Sequence, residues 1–265
     1  MGNDTFHILA PYYDAIMTRV RYDKWENNLL LLSQLLDLEG SKIKYLDVAC
    51  GTGVLIQRLS RYGWDSIGVD ISPSMLGIAV RNCSKASFIL ADMRHLPFSP
   101  KFTLLSSLFD SINFLLEDED IFKAMSSMKS VLAPGGLIYF DCVTEQMVKL
   151  YYKEKEWREN YKDFDTLWRS SYNEKSKIAT LSILVKGVGW TNVYQRIHPI
   201  ELFKDAIKSA GLTLLACLDA HTWNEIDSRT VRVDFVCANQ PSDTIFEKFT
   251  QIKNYIALTD FQLGE

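Results

Sequence analysis

Three apolar runs between residues 43 and 92 end at aspartates: "IKYLDVA" with Asp47, "DSIGVDI" with Asp70 and "ASFILAD" with Asp92. Runs this short and this apolar suit parallel strands buried on both faces. Helical segments separate them. "VLIQRLSRYG" places Val54, Leu55, Leu59 and Tyr62 at helical spacing and stops at Gly63, while "SPSMLGIAVRN" opens with Ser72 as N-cap and Pro73 at the first helical position. "FTLLSSLFDSINFL" reads as a fourth strand running into a loop near Asp110, and "LIYFDCV" as a fifth. Between them "DEDIFKAMSSMKSVLAPGG" has an acidic first turn and stops at Pro134 and two glycines, as a helix should. This alternation predicts an α/β fold with a doubly wound parallel sheet, whose ligands bind beyond the carboxyl ends of the strands.

From about Tyr151 the pattern changes. "DTLWRSSYNEKS" and "KIATLSILVKGVGWTNVYQR" read as successive strands, so residues 151–198 are expected to form an antiparallel insertion over the mouth of the sheet. The helix "PIELFKDAIKSAGL" and the strands "LTLLACLDA" and "TVRVDFVCAN" follow. In the tail, Ile245, Phe249, Ile252 and Ile256 share one helical face, read as docking on the protein's own domain.

Composition narrows the class of partner. The formal net charge of −4 and the lack of a long Lys/Arg run argue against a duplex-binding surface. The five cysteines form no CxxC pair, which predicts reduced core thiols of a cytoplasmic protein and no metal site. The run Leu29 to Leu36 is too short to span a membrane. A monomer and a homodimer both fit.

The residues at the strand ends suggest the ligand. Gly51 and Gly53 permit a tight turn that brings backbone N–H groups near a bound molecule. Asp47 can serve those amides or a ligand's ammonium group. Asp70, about 20 residues past the glycines, can accept both hydroxyls of a ribose, or cap the next helix. Asp92 can accept from an exocyclic adenine amine, with Ile71, Met75 and Met93 against the ring. A third glycine and a Lys-Ser/Thr ending are both missing, which disfavours a pyrophosphate or triphosphate. The expected ligand is a nucleoside without phosphates.

"LDVACGTG", "GVDIS.SML", "ADMRHLPF" and "LAPGGLIYFD" together resemble the successive motifs of the class I S-adenosylmethionine (SAM) dependent methyltransferases. With "YYDAIM...RYDKW" and "FDSINFL", the chain is similar to the small-molecule subset that includes sugar-amine N,N-dimethyltransferases and glycine N-methyltransferase-like proteins. The resemblance implies a Rossmann-like seven-stranded sheet whose last strand is antiparallel. It also implies five segments: a helical lid (1–42), a SAM-binding core (43–150), the β insertion covering the acceptor (151–198), completion of the sheet (199–240) and a C-terminal helix (241–265). It places Tyr13, Ala49 and Gly51 at the methionine and ribose, Tyr22 and Trp25 in a lid, and Asp70 on the ribose. Asp92 and Met93 fall on the adenine and Leu108 beneath the sulfonium. The product cofactor would be S-adenosylhomocysteine.

One departure matters. Where the sugar-amine enzymes carry a histidine after the fourth strand, this chain has Phe114, which cannot move a proton. Asp110, His198 and His221 are the remaining candidate bases. Phe114, Trp168, Tyr172 and Arg196, with Tyr194, are the candidate acceptor contacts. The implied activity is methyl transfer to N or O of a small molecule. The alternatives are a protein or RNA acceptor, and a SAM-binding sensor without catalysis.

Overall fold

The computed structural model describes residues 4–36, 38 and 40–262. The expected first and last segments therefore extend, at positions 1–3, 37, 39 and 263–265, outside the described residues. The chain begins with two helices, α1 (Tyr13–Ile16) and α2 (Tyr22–Ser33). Strand and helix then alternate: β1 (Lys44–Val48), α3 (Val54–Leu59), β2 (Asp65–Asp70), α4 (Pro73–Asn82), β3 (Ser87–Leu90), β4 (Phe102–Ser107), α5 (Asp118–Val131) and β5 (Leu132–Val143). The short α6 (Glu145–Met147) leads into β6 (Lys155–Asn160), β7 (Asp165–Asn173), β8 (Ile178–Val185) and β9 (Gly189–Arg196). The chain closes with α7 (Ile200–Ser209), β10 (Thr213–Asp219), β11 (Arg232–Ala238) and α8 (Ile245–Gln262).

Seven strands form the main sheet in the order β10-β11-β5-β4-β1-β2-β3, with β11 antiparallel to both neighbours. The order reverses between β1 and β4, and there the strand ends open a crevice. Ser72 caps α4 as expected, its hydroxyl accepting from the Met75 N–H at 3.1 Å. One face of the sheet buries Met125, Met128, Phe140, Phe203 and Phe235 beneath α5 and α7. The other buries Leu29, Leu32, Ile56, Tyr139 and Trp223 beneath α2 and α3, and the tail stripe of Ile245, Phe249 and Ile256 closes onto it. The tail stripe thus docks on its own domain.

The insertion is a separate antiparallel sheet, β6-β7-β8-β9. The sequence pattern did not indicate β6, because "KEWREN" offers Trp157 as its single large apolar residue and forms an edge. In β5, the "APGG" segment expected to end a helix is strand instead. Gly135, at φ 75°, donates to the Asn239 carbonyl, while the Asn239 N–H bonds the Gly136 carbonyl, so these residues pair alongside the last strand. The inner face of the insertion buries Trp168, Ile183, Val185 and Val193 against Leu9, with Phe6, Tyr12 and Phe114 packed on them. Among the described residues no helix is long and apolar enough to cross a membrane.

The insertion is clamped to the core through the loop after β4. Asn113 is fully buried; its amide donates to the Arg196 carbonyl at 2.8 Å and its oxygen accepts from the Val143 N–H at 3.0 Å. Removing it strands two backbone groups, at ~1–3 kcal/mol for each that stays dry. Asn113→Ala is expected to lower unfolding stability by about 2–4 kcal/mol in urea titration. A loss below about 0.5 kcal/mol, the range of a neutral surface change, would show that the clamp lies elsewhere.

Candidate functional site

The turn after β1 carries three left-handed residues, Ala49, Gly51 and Gly53, at φ 61°, 54° and 75°. The two glycines have different reasons to be there. A Cβ on Gly53 would lie 3.0 Å from the Phe88 ring and 3.1 Å from Ala79, so that glycine answers to packing. A Cβ on Gly51 would meet nothing within 4 Å, so that glycine borders open space. The Gly51 N–H donates to Asp70 Oδ2 at 2.8 Å, and the Ser72 N–H donates to Asp70 Oδ1 at 2.8 Å. Asp70 thus ties the turns after β1 and β2 together. Each of its oxygens keeps accepting capacity for a ligand hydroxyl. Burial pushes Asp70 above the usual carboxylate range, opposed by the two N–H bonds.

Asp70 lines a cavity of about 330 Å³ with Ala49, Ile71, Asp92, Met93 and Phe114. Two acidic strand ends therefore face one cleft. Asp92 is not free there: the Arg94 guanidinium grips it in bidentate fashion, with Nε 3.0 Å from each oxygen. Asp47 serves neither the turn amides nor the cavity wall. It lies buried beneath, accepting from Ser106 Oγ at 2.7 Å, and Ser106 shares a 2.5 Å hydrogen bond with the Tyr45 hydroxyl. Burial pushes Asp47 up to about 7. Met75 is buried in the α4 face, outside the cavity lining, whereas Ile71 stands 64% exposed at its rim.

Tyr13 meets Phe6 edge-on at 6.2 Å, and Phe6 in turn packs on Phe114 of the smaller cavity's wall. Burial holds the Tyr13 phenol well above the normal value, and the charges of Asp110 and Asp70 both add to the shift. Trp25 packs against Tyr22 at 5.7 Å and Phe109 at 5.5 Å, and Leu108 is buried beside them.

Asp110 follows β4 and, with Phe109, adopts a left-handed conformation, φ 52° and 61°. Its N–H donates to Asp141 Oδ1 at 3.0 Å. Arg232 donates to Asp110 at 2.6 Å and also to Asp141, and Gln195 of the insertion donates to Asp110. The Arg232 guanidinium lies 5.5 Å over the Phe109 ring. Arg232 and His221 also border a larger cavity, about 780 Å³, walled by Tyr152, Trp157 and Glu159.

The other sequence candidates lie elsewhere. His198 is buried with both ring nitrogens engaged, Nδ1 with Asp118 at 3.0 Å and Nε2 with the Leu115 carbonyl at 2.7 Å, so it has no nitrogen free for a substrate. Arg196 donates to the Leu116 carbonyl and pairs with Asp118, fastening the insertion to α5. Trp168 stacks on Trp157 and donates to Thr166, and Tyr172 donates to Glu145. Tyr194 is exposed. Phe114 packs on Phe6 and borders the smaller cavity. Sequence reasoning missed Arg94, Asp141, Gln195 and Arg232. Two charged residues two apart in the apolar strand "VRVDFVCA", hence on one face, were the available signal for Arg232.

Residues 46–136 match the family profile described as a methyltransferase domain. Bacillus subtilis YqeM, described as a methyltransferase with no acceptor in its name, is 28% identical over 247 residues, 89% of this chain and 97% of that protein. A Streptomyces venezuelae dTDP-3-amino-3,4,6-trideoxy-alpha-D-glucopyranose N,N-dimethyltransferase is 33% identical over 93 residues, 35% of this chain and 39% of that protein. In fold, a solved SAM-dependent methyltransferase from Clostridium acetobutylicum matches with a TM-score of 0.74 at 22% identity, covering 86% of this chain and 96% of that one.

A second buried acid lies behind the site. Asp234 stands directly across the strand pair from Asp141 and accepts from Tyr139 Oη at 2.7 Å and Trp223 Nε1 at 2.9 Å. Among the described residues its Oδ1 has no hydrogen-bond partner. Burial and the charge of Asp141 push it up to about 7. A folded-state pKa above the unfolded one means that the native state holds the extra proton, so stability falls as pH rises from about 4 to about 7. Asp47 acts in the same direction. Asp234→Asn is expected to reduce that decline by up to about 1.4 kcal/mol per pH unit. Urea titrations between pH 5 and 7.5 measure it, and an unchanged slope would contradict the assignment.

Proposed function

We propose that this chain, a class I S-adenosylmethionine-dependent methyltransferase, methylates nitrogen or oxygen of a small-molecule acceptor. The observation that carries this reading is a pair of cavities, the smaller with Asp70 and Asp92 in its wall and the larger walled by Tyr152, Trp157, His221 and Arg232, whose guanidinium also bonds Asp110. The relative named as a sugar N,N-dimethyltransferase supports the same class of acceptor.

The smaller cavity suits the cofactor's nucleoside. Asp70 has one accepting position left on each oxygen for the two ribose hydroxyls. Asp92 would take the adenine amine, and Ile71 and Met93 would flank the ring. The open side of Gly51 leaves room for the chain toward the sulfur. When bound, SAM supplies a methyl carbon already activated by its sulfonium.

The protein's own residues then have little bond chemistry to perform. Tyr13, Trp25, Phe109 and Leu108 exclude water from the junction. The walls of the larger cavity hold the acceptor in line, a contribution that can reach effective molarities of about 10⁵–10⁸ M. Asp110, aimed by Arg232 and Gln195, is placed to receive the acceptor's proton, and such assistance is worth about 10²–10⁴-fold. His198 takes no part.

The test is to incubate cell extract with methyl-labelled SAM and this protein, then fractionate by size. The label is expected in the low-molecular-weight fraction whether or not the extract was first treated with ribonuclease and protease. Label confined to macromolecules, and lost on either treatment, would contradict the reading.

A further inference from the structure

β3 is an edge strand, so the carboxylate at its tip has a neighbouring strand on one side only. Something else must fix it. Arg94, two residues on, does so from both ends of its guanidinium. Nε and Nη2 grip Asp92, the latter 2.5 Å from Oδ2, and Nη1 reaches Asp120 in the first turn of α5 at 2.6 Å. Asp120 is also held by Lys123 at 2.9 Å, and the Leu96 N–H donates to Ser127 Oγ of the same helix at 2.9 Å. The loop after β3 is therefore pinned to α5 along two turns. A planar fork matched to a carboxylate sets its orientation as well as its distance.

Arg94 also decides what Asp92 can read. Asp70, Asp92 and Asp120 all border the smaller cavity, and Arg94 brings the cation among them. Burial acts to raise the Asp92 pKa, but the Arg94 hydrogen bonds and charge hold it below the usual carboxylate range. An ionised carboxylate accepts only. Three N–H groups reach Asp92, the Arg94 backbone N–H on Oδ1, Nε shared between the two oxygens and Nη2 on Oδ2, which leaves about one of the carboxylate's roughly four accepting positions for a ligand.

We propose that Arg94 is a positioning residue for the cofactor's base: it holds Asp92 as a fixed, acceptor-only group and so sets the preference for an exocyclic amine over a carbonyl at that edge. This rests on the reading that the smaller cavity takes the adenosine of SAM.

Calorimetry with S-adenosylhomocysteine and S-inosylhomocysteine tests it, because hypoxanthine presents a carbonyl where adenine presents its amine. The wild type is expected to prefer the adenosyl compound by about ten- to a hundredfold, the worth of one hydrogen bond to a charged group. Arg94→Met keeps the apolar stem and removes the fork; the preference should fall to within about threefold, chiefly by weaker binding of the adenosyl compound. Arg94→Lys keeps the charge without the fork and should give an intermediate ratio. Equal weakening of both compounds, with the wild-type ratio kept, would reduce Arg94 to a structural brace and overturn the inference. Should Arg94→Met fail to fold, the Arg94→Lys ratio decides: lowered supports it, unchanged overturns it. A wild type that binds both compounds equally would instead overturn the reading of the cavity, and the inference with it.

Discussion

The site depends on one carboxylate used twice. Asp70 draws the Gly51 N–H from one turn and the Ser72 N–H from the next, so the ends of β1 and β2 are fastened at the point where the sheet opens. Among the described residues, backbone donors and no cation hold it in place. A ligand donor therefore meets an oriented acceptor whose negative charge is only partly offset. Burial raises the cost of ionising Asp70, and the two N–H bonds offset part of that cost. The left-handed Gly51 makes this geometry possible, and its unobstructed side gives the ligand space.

The loop after β4 follows a different rule. Arg232 is half-buried between Asp110 and Asp141, and Asp141 is itself fully buried. Isolated buried charges would be costly, and here each has more than one partner: Arg232 has two carboxylates, and Asp141 has Arg232 and the Asp110 N–H. The return is local. Phe109 and Asp110 are both non-glycine residues at positive φ, a conformation costing about 1–3 kcal/mol each that persists only where the surroundings over-determine it. Arg232 stacks on the first and bonds the second. Gln195 joins the insertion to the same aspartate, so the cover and the loop beneath it share one anchor.

The parts of this structure visible in the sequence were those governed by period and punctuation. The buried strands, the capped helix at Ser72–Pro73, the insertion and the docking face of the tail each follow from local patterns. The missed strand β6 is a charged edge whose pairing is decided by its neighbours in space. Among the candidate residues, Asp70 and Asp92 were legible as neighbours on one cavity because strand ends converge by topology. His198, Trp168, Tyr172 and Arg196 looked chemical and prove to be seams or packing, because a polar or aromatic side chain in sequence does not say what it faces. Arg232 contacts Asp110, 122 residues earlier, and no local pattern carries that distance.

A crystal structure with S-adenosylhomocysteine bound is the most direct test of the central claim. The account predicts the adenosine in the cavity between Ala49, Ile71 and Met93, with one ribose hydroxyl on each oxygen of Asp70 and both backbone N–H bonds to that carboxylate retained. A nucleoside bound elsewhere, or one that breaks the Gly51–Asp70 bond to enter, would contradict it.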